Sequence, residues 1–214
     1  MNDDRNPRIL NVLFIGHSYV RRLMFHRLNN NLSTNMAFHN LVLVFNYIYV
    51  GGKNYSFFNS DNKIRNAIKS HNPDIILISL AGNAVSKSNY YDIPSANAEM
   101  RIFHSWLCAT FPSAKILPIE AEPRYNYHRE LPVKHDPLHE SYKSRRKAMN
   151  IAMSRMSCKH GLIRIYNRLT DRKLFLRHDR TPYVHLNESG NELYWDIIYK
   201  GLEFSLCKWG ILVA

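Results

Sequence analysis

Four stretches, NVLFI (Asn11 to Ile15), LVLVFNYIYV (Leu41 to Val50), DIILISL (Asp74 to Leu80) and KILPI (Lys115 to Ile119), are near-continuous runs of branched and aromatic apolar residues. A strand that does not alternate apolar with polar residues must be covered on both faces, which is the situation of a parallel sheet held between layers of helix. LIRIY (Leu162 to Tyr166) reads as a fifth strand of the same kind. Amphipathic segments separate the runs: Ser18 to about Asn30, Asp61 to His71, Ile93 to Phe111, His139 to about His160, and Glu188 to about Cys207. In the second of these Asp61 is placed to cap, Ile64, Ala67 and Ile68 share one face, and Pro73 lies just past the end. In the last, Asn187 is the expected cap, and Leu193, Tyr194, Ile197, Ile198, Leu202 and Leu206 form the expected buried stripe. The alternation predicts a layered α/β protein with a five-stranded parallel sheet covered on both faces, for which 2-1-3-4-5 is the common doubly wound order.

With 214 residues, 45% of them hydrophobic, the chain is long enough for one substantial core, and a single domain over 1–214 is expected. The three cysteines, Cys108, Cys158 and Cys207, are too few and too scattered for a disulfide framework or a metal knuckle, which fits a reducing, intracellular and cytoplasmic setting. The N-terminal MNDDRNPRIL is polar and lacks the apolar core of a signal peptide, and no apolar run approaches the length of a membrane span. Twenty-nine Lys and Arg against 17 Asp and Glu give a formal charge of +12, a field that draws polyanions. The densest basic run, KSRRK (Lys143 to Lys147), lies in a helical segment and reads first as a solvated face, ahead of a dedicated phosphate-binding surface.

In an open parallel sheet, ligands bind beyond the carboxyl ends of the strands where the strand order reverses. With order 2-1-3, the loops that meet there carry Gly16-His17-Ser18, Gly51-Gly52 and Gly82-Asn83. Ser18 falls at a helix N-terminus, where backbone N–H groups and the helix dipole favour a developing oxyanion. Gly51 or Gly52 admits close backbone approach and a second N–H donor, and Asn83 offers a side-chain amide. A base is required, and His185, in the loop before the last helix, is the candidate. Taken singly, Ser18 reads as a helix cap, Asn83 and the paired glycines as turn formers, and His185 as a surface or capping residue.

Taken in order, GHSYVRRL near the N-terminus, the glycine after the second strand, GNA after the third and VHLNESGNELY near the C-terminus resemble the ordered blocks of the SGNH, or GDSL-type, hydrolases. That resemblance implies a flavodoxin-like α/β/α sandwich and the activity of an esterase, lipase or carbohydrate deacetylase acting without a cofactor. It implies Ser18 as nucleophile and oxyanion donor, Gly52 (or Gly51) and Asn83 as further donors, and His185 as base. The blocks GHSYVRRL, EPRYN and YKSRRKAMNIAM are more narrowly similar to esterase-like domains of invertebrate mobile elements, including LINE-type retrotransposons. That similarity implies nucleic acid or a ribonucleoprotein as a neighbour.

The chain departs from the family pattern in two places. His17 stands where the family has Asp, and Pro182 stands where the acid three residues before the base belongs. Asp179, or a backbone carbonyl, is left to orient His185, which predicts a weakened dyad. Arg124, Tyr125 and His17 are candidate substrate contacts, with Tyr127 in the same covering loop. HDPLH (His135 to His139), with His128 nearby, has Pro137 between its histidines and no matching carboxylate spacing, so no metal is expected. No Gly-x-Gly-x-x-Gly follows the first strand, which argues against a dinucleotide. The expected activity is ester hydrolysis on a small-molecule, glycan or lipid ester; the alternative is a catalytically weak or inactive scaffold that binds nucleic acid or a protein partner.

Overall fold

The computed structural model describes residues 6–86, 93–125, 137–157, 160–165, 168–176 and 184–212, with the backbone alone for 86 and 137–141. The elements follow in the order β1 (Arg8–Gly16), α1 (Ser18–Asn29), β2 (Met36–Phe38), β3 (Leu41–Tyr49), α2 (Tyr55–Ser60), α3 (Asn62–Lys69), β4 (Ile75–Ser79), α4 (Ala81–Ser86), α5 (Ile93–Thr110), β5 (Lys115–Pro118), α6 (Pro137–Met156) and α7 (Glu188–Lys208). The sheet runs β2-β3-β1-β4-β5. β1 lies between β3 and β4 and is parallel to both, and β4 is parallel to β5.

β1 shows why an unbroken apolar run is needed. Leu10, Val12 and Phe14 point into a core shared with Val20 and Leu23 of α1 and with Tyr194, Ile197 and Ile198 of α7. Leu13 and Ile15 point to the opposite face, into a core shared with Ile68 of α3, Met100 and Phe103 of α5, and Met149 and Met153 of α6. The strand's period of two thus feeds both faces, and from Val12 onward each residue is withdrawn from water. β4 does the same, with Ile75 and Leu77 on the first face and Ile76 and Ile78 on the second. The three-layer α/β/α architecture expected from the sequence is the one observed.

The sheet itself requires a correction. The first four expected strands are β1, β3, β4 and β5, in the expected relative order, but the expected fifth is not a full strand. Among the described residues 162–165 only one parallel bridge forms, Ile119 with Ile163. There the ladder is interrupted by a side chain: Glu120 Oε2 accepts from the Ile165 N–H at 3.0 Å, and the Arg168 N–H then turns back onto the Ile165 carbonyl. The fifth strand is instead β2, antiparallel to β3, so the sheet is mixed. Only His39 and Asn40 separate β2 from β3, a connection too short for anything but a hairpin.

Helix ends follow their chemistry. Asp61 Oδ1 accepts from the Ile64 N–H at 2.9 Å and caps α3. Pro137 opens α6 instead of breaking it, because a proline at the first helical position loses no hydrogen bond. Among the described residues no helix is long and apolar enough to cross a membrane.

Candidate active site

Gly16 at the end of β1 lies opposite Tyr49 of β3 and Ser79 of β4, so the loops after these three strands leave the sheet side by side. The Val50 N–H donates to the Gly16 carbonyl at 3.1 Å, and Asn83 Nδ2 donates to the Lys53 carbonyl at 2.9 Å. The turn from Val50 to Lys53 is therefore stitched to the other two loops. Gly52 has φ +70°, a left-handed conformation that disfavours a side chain.

At the start of α1 the cap is His17, whose Nδ1 accepts from the Tyr19 N–H. The sequence alone offered Ser18 as a cap, but Ser18 is the first helical residue, and its hydroxyl is directed elsewhere. Ser18 Oγ lies 3.1 Å from His185 Nε2. These are the two groups that the sequence placed at opposite ends of the chain.

The loop that carries His185 is held by its backbone. The Leu176 N–H donates to the His185 carbonyl at 2.8 Å, Phe175 and Leu186 form an antiparallel bridge, and the Asn187 N–H donates to the Leu174 carbonyl at 2.9 Å. Asn187 Oδ1 then caps α7 through the Gly190 N–H. From the other side, the Tyr19 hydroxyl hydrogen-bonds the Val184 carbonyl, one residue from His185. Burial raises the Tyr19 hydroxyl well above the usual tyrosine range, which keeps it a donor.

Beneath the serine lies a buried charged group that the sequence did not single out. Glu122 Oε2 is 3.4 Å from His17 Nε2, and both side chains are essentially inaccessible. Glu122 Oε1 accepts from the Tyr194 hydroxyl at 3.0 Å and from the Ser79 hydroxyl, and the Tyr142 hydroxyl donates to the Glu122 backbone carbonyl. Burial pushes the Glu122 carboxyl up, but His17 and the hydrogen bonds it accepts outweigh this, and its pKa lies below the ordinary value. A Cβ on Gly82 would stand 2.5 Å from Glu122 Oε2, so that glycine is what lets the first turn of α4 close over the pair. His17 was a candidate substrate contact. At 0% exposure and facing Glu122, it is instead part of the buried layer next to Ser18.

Arg124 and Tyr125 also turn inward. Arg124 Nη2 donates to Asn83 Oδ1 at 2.5 Å, which fixes the amide so that its nitrogen faces the Lys53 carbonyl. Asn83 is 8% exposed, and its NH₂ carries a second proton beyond the one given to Lys53. Tyr125 packs edge-on against Phe175, and its hydroxyl donates to the Thr170 carbonyl at 2.9 Å. Asp179 and Pro182, as well as Tyr127, His128 and His135, lie outside the described residues, as does the His139 side chain.

No protein-family model matches the chain, and no curated protein sequence does so significantly. Solved structures do. The psychrotrophic esterase of a Pseudoalteromonas species, in a form inhibited by monoethylphosphonate, superposes with a TM-score of 0.60 at 12% identity, over 92% of this chain and 98% of that one. A variant of an acetyl-xylooligosaccharide esterase from Geobacillus gives 0.60 at 12% identity, over 92% and 95% of the two chains. A GDSL-like lipase from Bacteroides thetaiotaomicron gives 0.57 at 11% identity, over 92% and 89%. At these identities the likeness is one of fold.

Proposed function

On the premise that this chain has the fold of the SGNH/GDSL hydrolases, we propose that it hydrolyses carboxylic esters, acyl or acetyl, through an acyl-serine intermediate. The observation that carries this reading is the 3.1 Å contact between Ser18 Oγ and His185 Nε2. His185 Nε2 takes the proton as Ser18 Oγ attacks the ester carbon, and the carbonyl oxygen becomes an oxyanion. Collapse of the tetrahedral adduct breaks the bond to the leaving alcohol, which receives the proton from His185. Water then attacks the acyl-serine, gives its proton to His185, and the carboxylic acid leaves as Ser18 is restored.

The oxyanion is held by the Ser18 N–H at the dipole-positive end of α1, by the N–H of Gly52 or Gly51, and by Asn83 Nδ2. The hydrogen bonds of Asn83 to Arg124 and Lys53 support that last role, since an amide fixed in advance costs no reorganisation when charge develops. Arg124 is accordingly a positioning residue. Asn83→Ala is expected to lower kcat for nitrophenyl acetate by about 10²- to 10³-fold with little change in KM, as for the loss of one oxyanion donor. Unchanged kcat in steady-state assays would remove Asn83 from the site. Absence of any ester hydrolysis above buffer by the intact wild-type protein would overturn the reading as a whole.

The likeness to an acetyl-xylooligosaccharide esterase and a GDSL-like lipase supports esters of sugars or lipids as the substrate class.

A further inference from the structure

We propose that the open edge of the sheet beside β5 is a docking groove for an extended, acidic peptide segment of a partner protein. The groove has a volume of about 1120 Å³ and runs along the 162–165 segment between α6 and α7. Helices bank it on both sides, and its floor is the last extended segment of the sheet.

Main-chain geometry makes this an incomplete edge. The Ile163 N–H donates to the Pro118 carbonyl and its own carbonyl accepts from the Glu120 N–H, both at 3.0 Å. In a parallel pairing, alternate residues direct their N–H and C=O groups to opposite sides, so those of Leu162 and Arg164 face away from β5. Among the described residues neither has a hydrogen-bond partner. Such a row of unused donors and acceptors is a template for an added strand.

The side chains around the edge select the occupant. Lys147 from α6, Lys200 from α7, and Arg164 and Arg168 from the edge segment line the groove, and among the described residues the sole acidic one lining it, Glu120, is buried with Oε2 on the Ile165 N–H. Lys200 also touches Asp196 in an exposed pair at 2.9 Å, a contact that screening leaves easily exchanged. On the two banks Ile151 and Phe204 remain 44% and 72% exposed, an apolar surface for alternate side chains of the added strand. A second copy of this chain would bring the same four cations against themselves, which like-charge repulsion opposes. A nucleic acid strand answers the charge but has no N–H and C=O ladder to offer Leu162 and Arg164. Of the basic run Lys143 to Lys147, Lys147 is the member that faces this groove.

The test is fluorescence anisotropy with a fluorescein-labelled decapeptide of alternating Val and Glu, the same peptide N-methylated at every second residue, and a decamer of oligothymidylate. The wild-type protein is expected to bind the first peptide saturably, and the N-methylated one roughly tenfold or more weakly because the ladder bonds are removed. Arg164→Glu with Arg168→Glu is expected to weaken the first peptide by roughly tenfold or more, with an unchanged melting temperature. Should that double variant melt lower than wild type, Lys147→Glu on the opposite bank supplies the same readout. No saturable binding, equal binding of the N-methylated peptide, tighter binding of the oligothymidylate, or indifference to the charge reversals would each overturn the proposal. None of these readouts depends on ester hydrolysis.

Discussion

Alanine at position 18 is expected to lower kcat/KM for nitrophenyl acetate by roughly 10⁴- to 10⁶-fold while leaving the melting temperature within about 1 °C of wild type. The large kinetic effect follows from chemistry. Without Oγ there is no acyl-serine, and only the oxyanion donors and binding remain to assist direct attack by water. The small stability effect follows from structure, because His17 and not Ser18 caps α1, so removing the hydroxyl leaves the helix N-terminus satisfied. His185→Ala should cost a comparable factor, and the double variant little more, because the two groups act as one unit. Steady-state kinetics on the three variants check this; losses that multiply would mean that serine and histidine act separately.

The second large effect concerns stability. Glu122→Ala is expected to destabilise the protein by about 3 to 5 kcal/mol, because several buried donors lose their acceptor at about 1 to 3 kcal/mol each, which for a chain of this size lowers Tm by roughly 6 to 20 °C. The reason is that His17 Nε2, the Ser79 hydroxyl and the Tyr194 hydroxyl all converge on this buried carboxylate. The pair also sets a pH dependence. Because the folded pKa of Glu122 lies below its unfolded value of about 4.3, its contribution is fully present above that value and is lost as pH falls through the folded pKa. Thermal melts from neutral pH downward should therefore show the wild type losing stability on acidification through the carboxylate range, and Glu122→Gln losing less. Parallel curves for the two proteins would mean that Glu122 is not held ionised.

Which parts of this could be read from the chain alone depends on the length scale of the signal. β1, β3 and β4 announce themselves because a strand buried on both faces must be apolar at every position, and α3 because Asp61 and the Ile64, Ala67 and Ile68 face leave one periodicity. β2, with the residues Met36, Ala37 and Phe38, is too short to carry a period, and its antiparallel pairing comes from the hairpin that follows. α2 and α4, six residues each, are equally silent. Leu162 to Tyr166 has the composition of a strand, but a side chain, Glu120, occupies the ladder position that a backbone group would take.

In the site, Ser18, Asn83 and His185 were legible because each sits in a motif of several residues in a fixed order. Glu122 was not, since a single glutamate in a polar, proline-containing stretch reads as solvated loop. Its partner His17 held the only clue: a departure from the family's Asp invites a search for a carboxylate supplied from elsewhere. His17 itself was misread as a substrate contact for the same reason, because nothing in its local sequence signals that it is buried.

The most direct measurement is labelling of the purified protein with a fluorophosphonate probe, read by intact-protein mass spectrometry and peptide mapping. An activated serine should gain a single adduct on the peptide containing Ser18, and the adduct should be absent from Ser18→Ala and strongly reduced in His185→Ala. An unlabelled wild-type protein, or an adduct that persists in Ser18→Ala, would contradict the assignment.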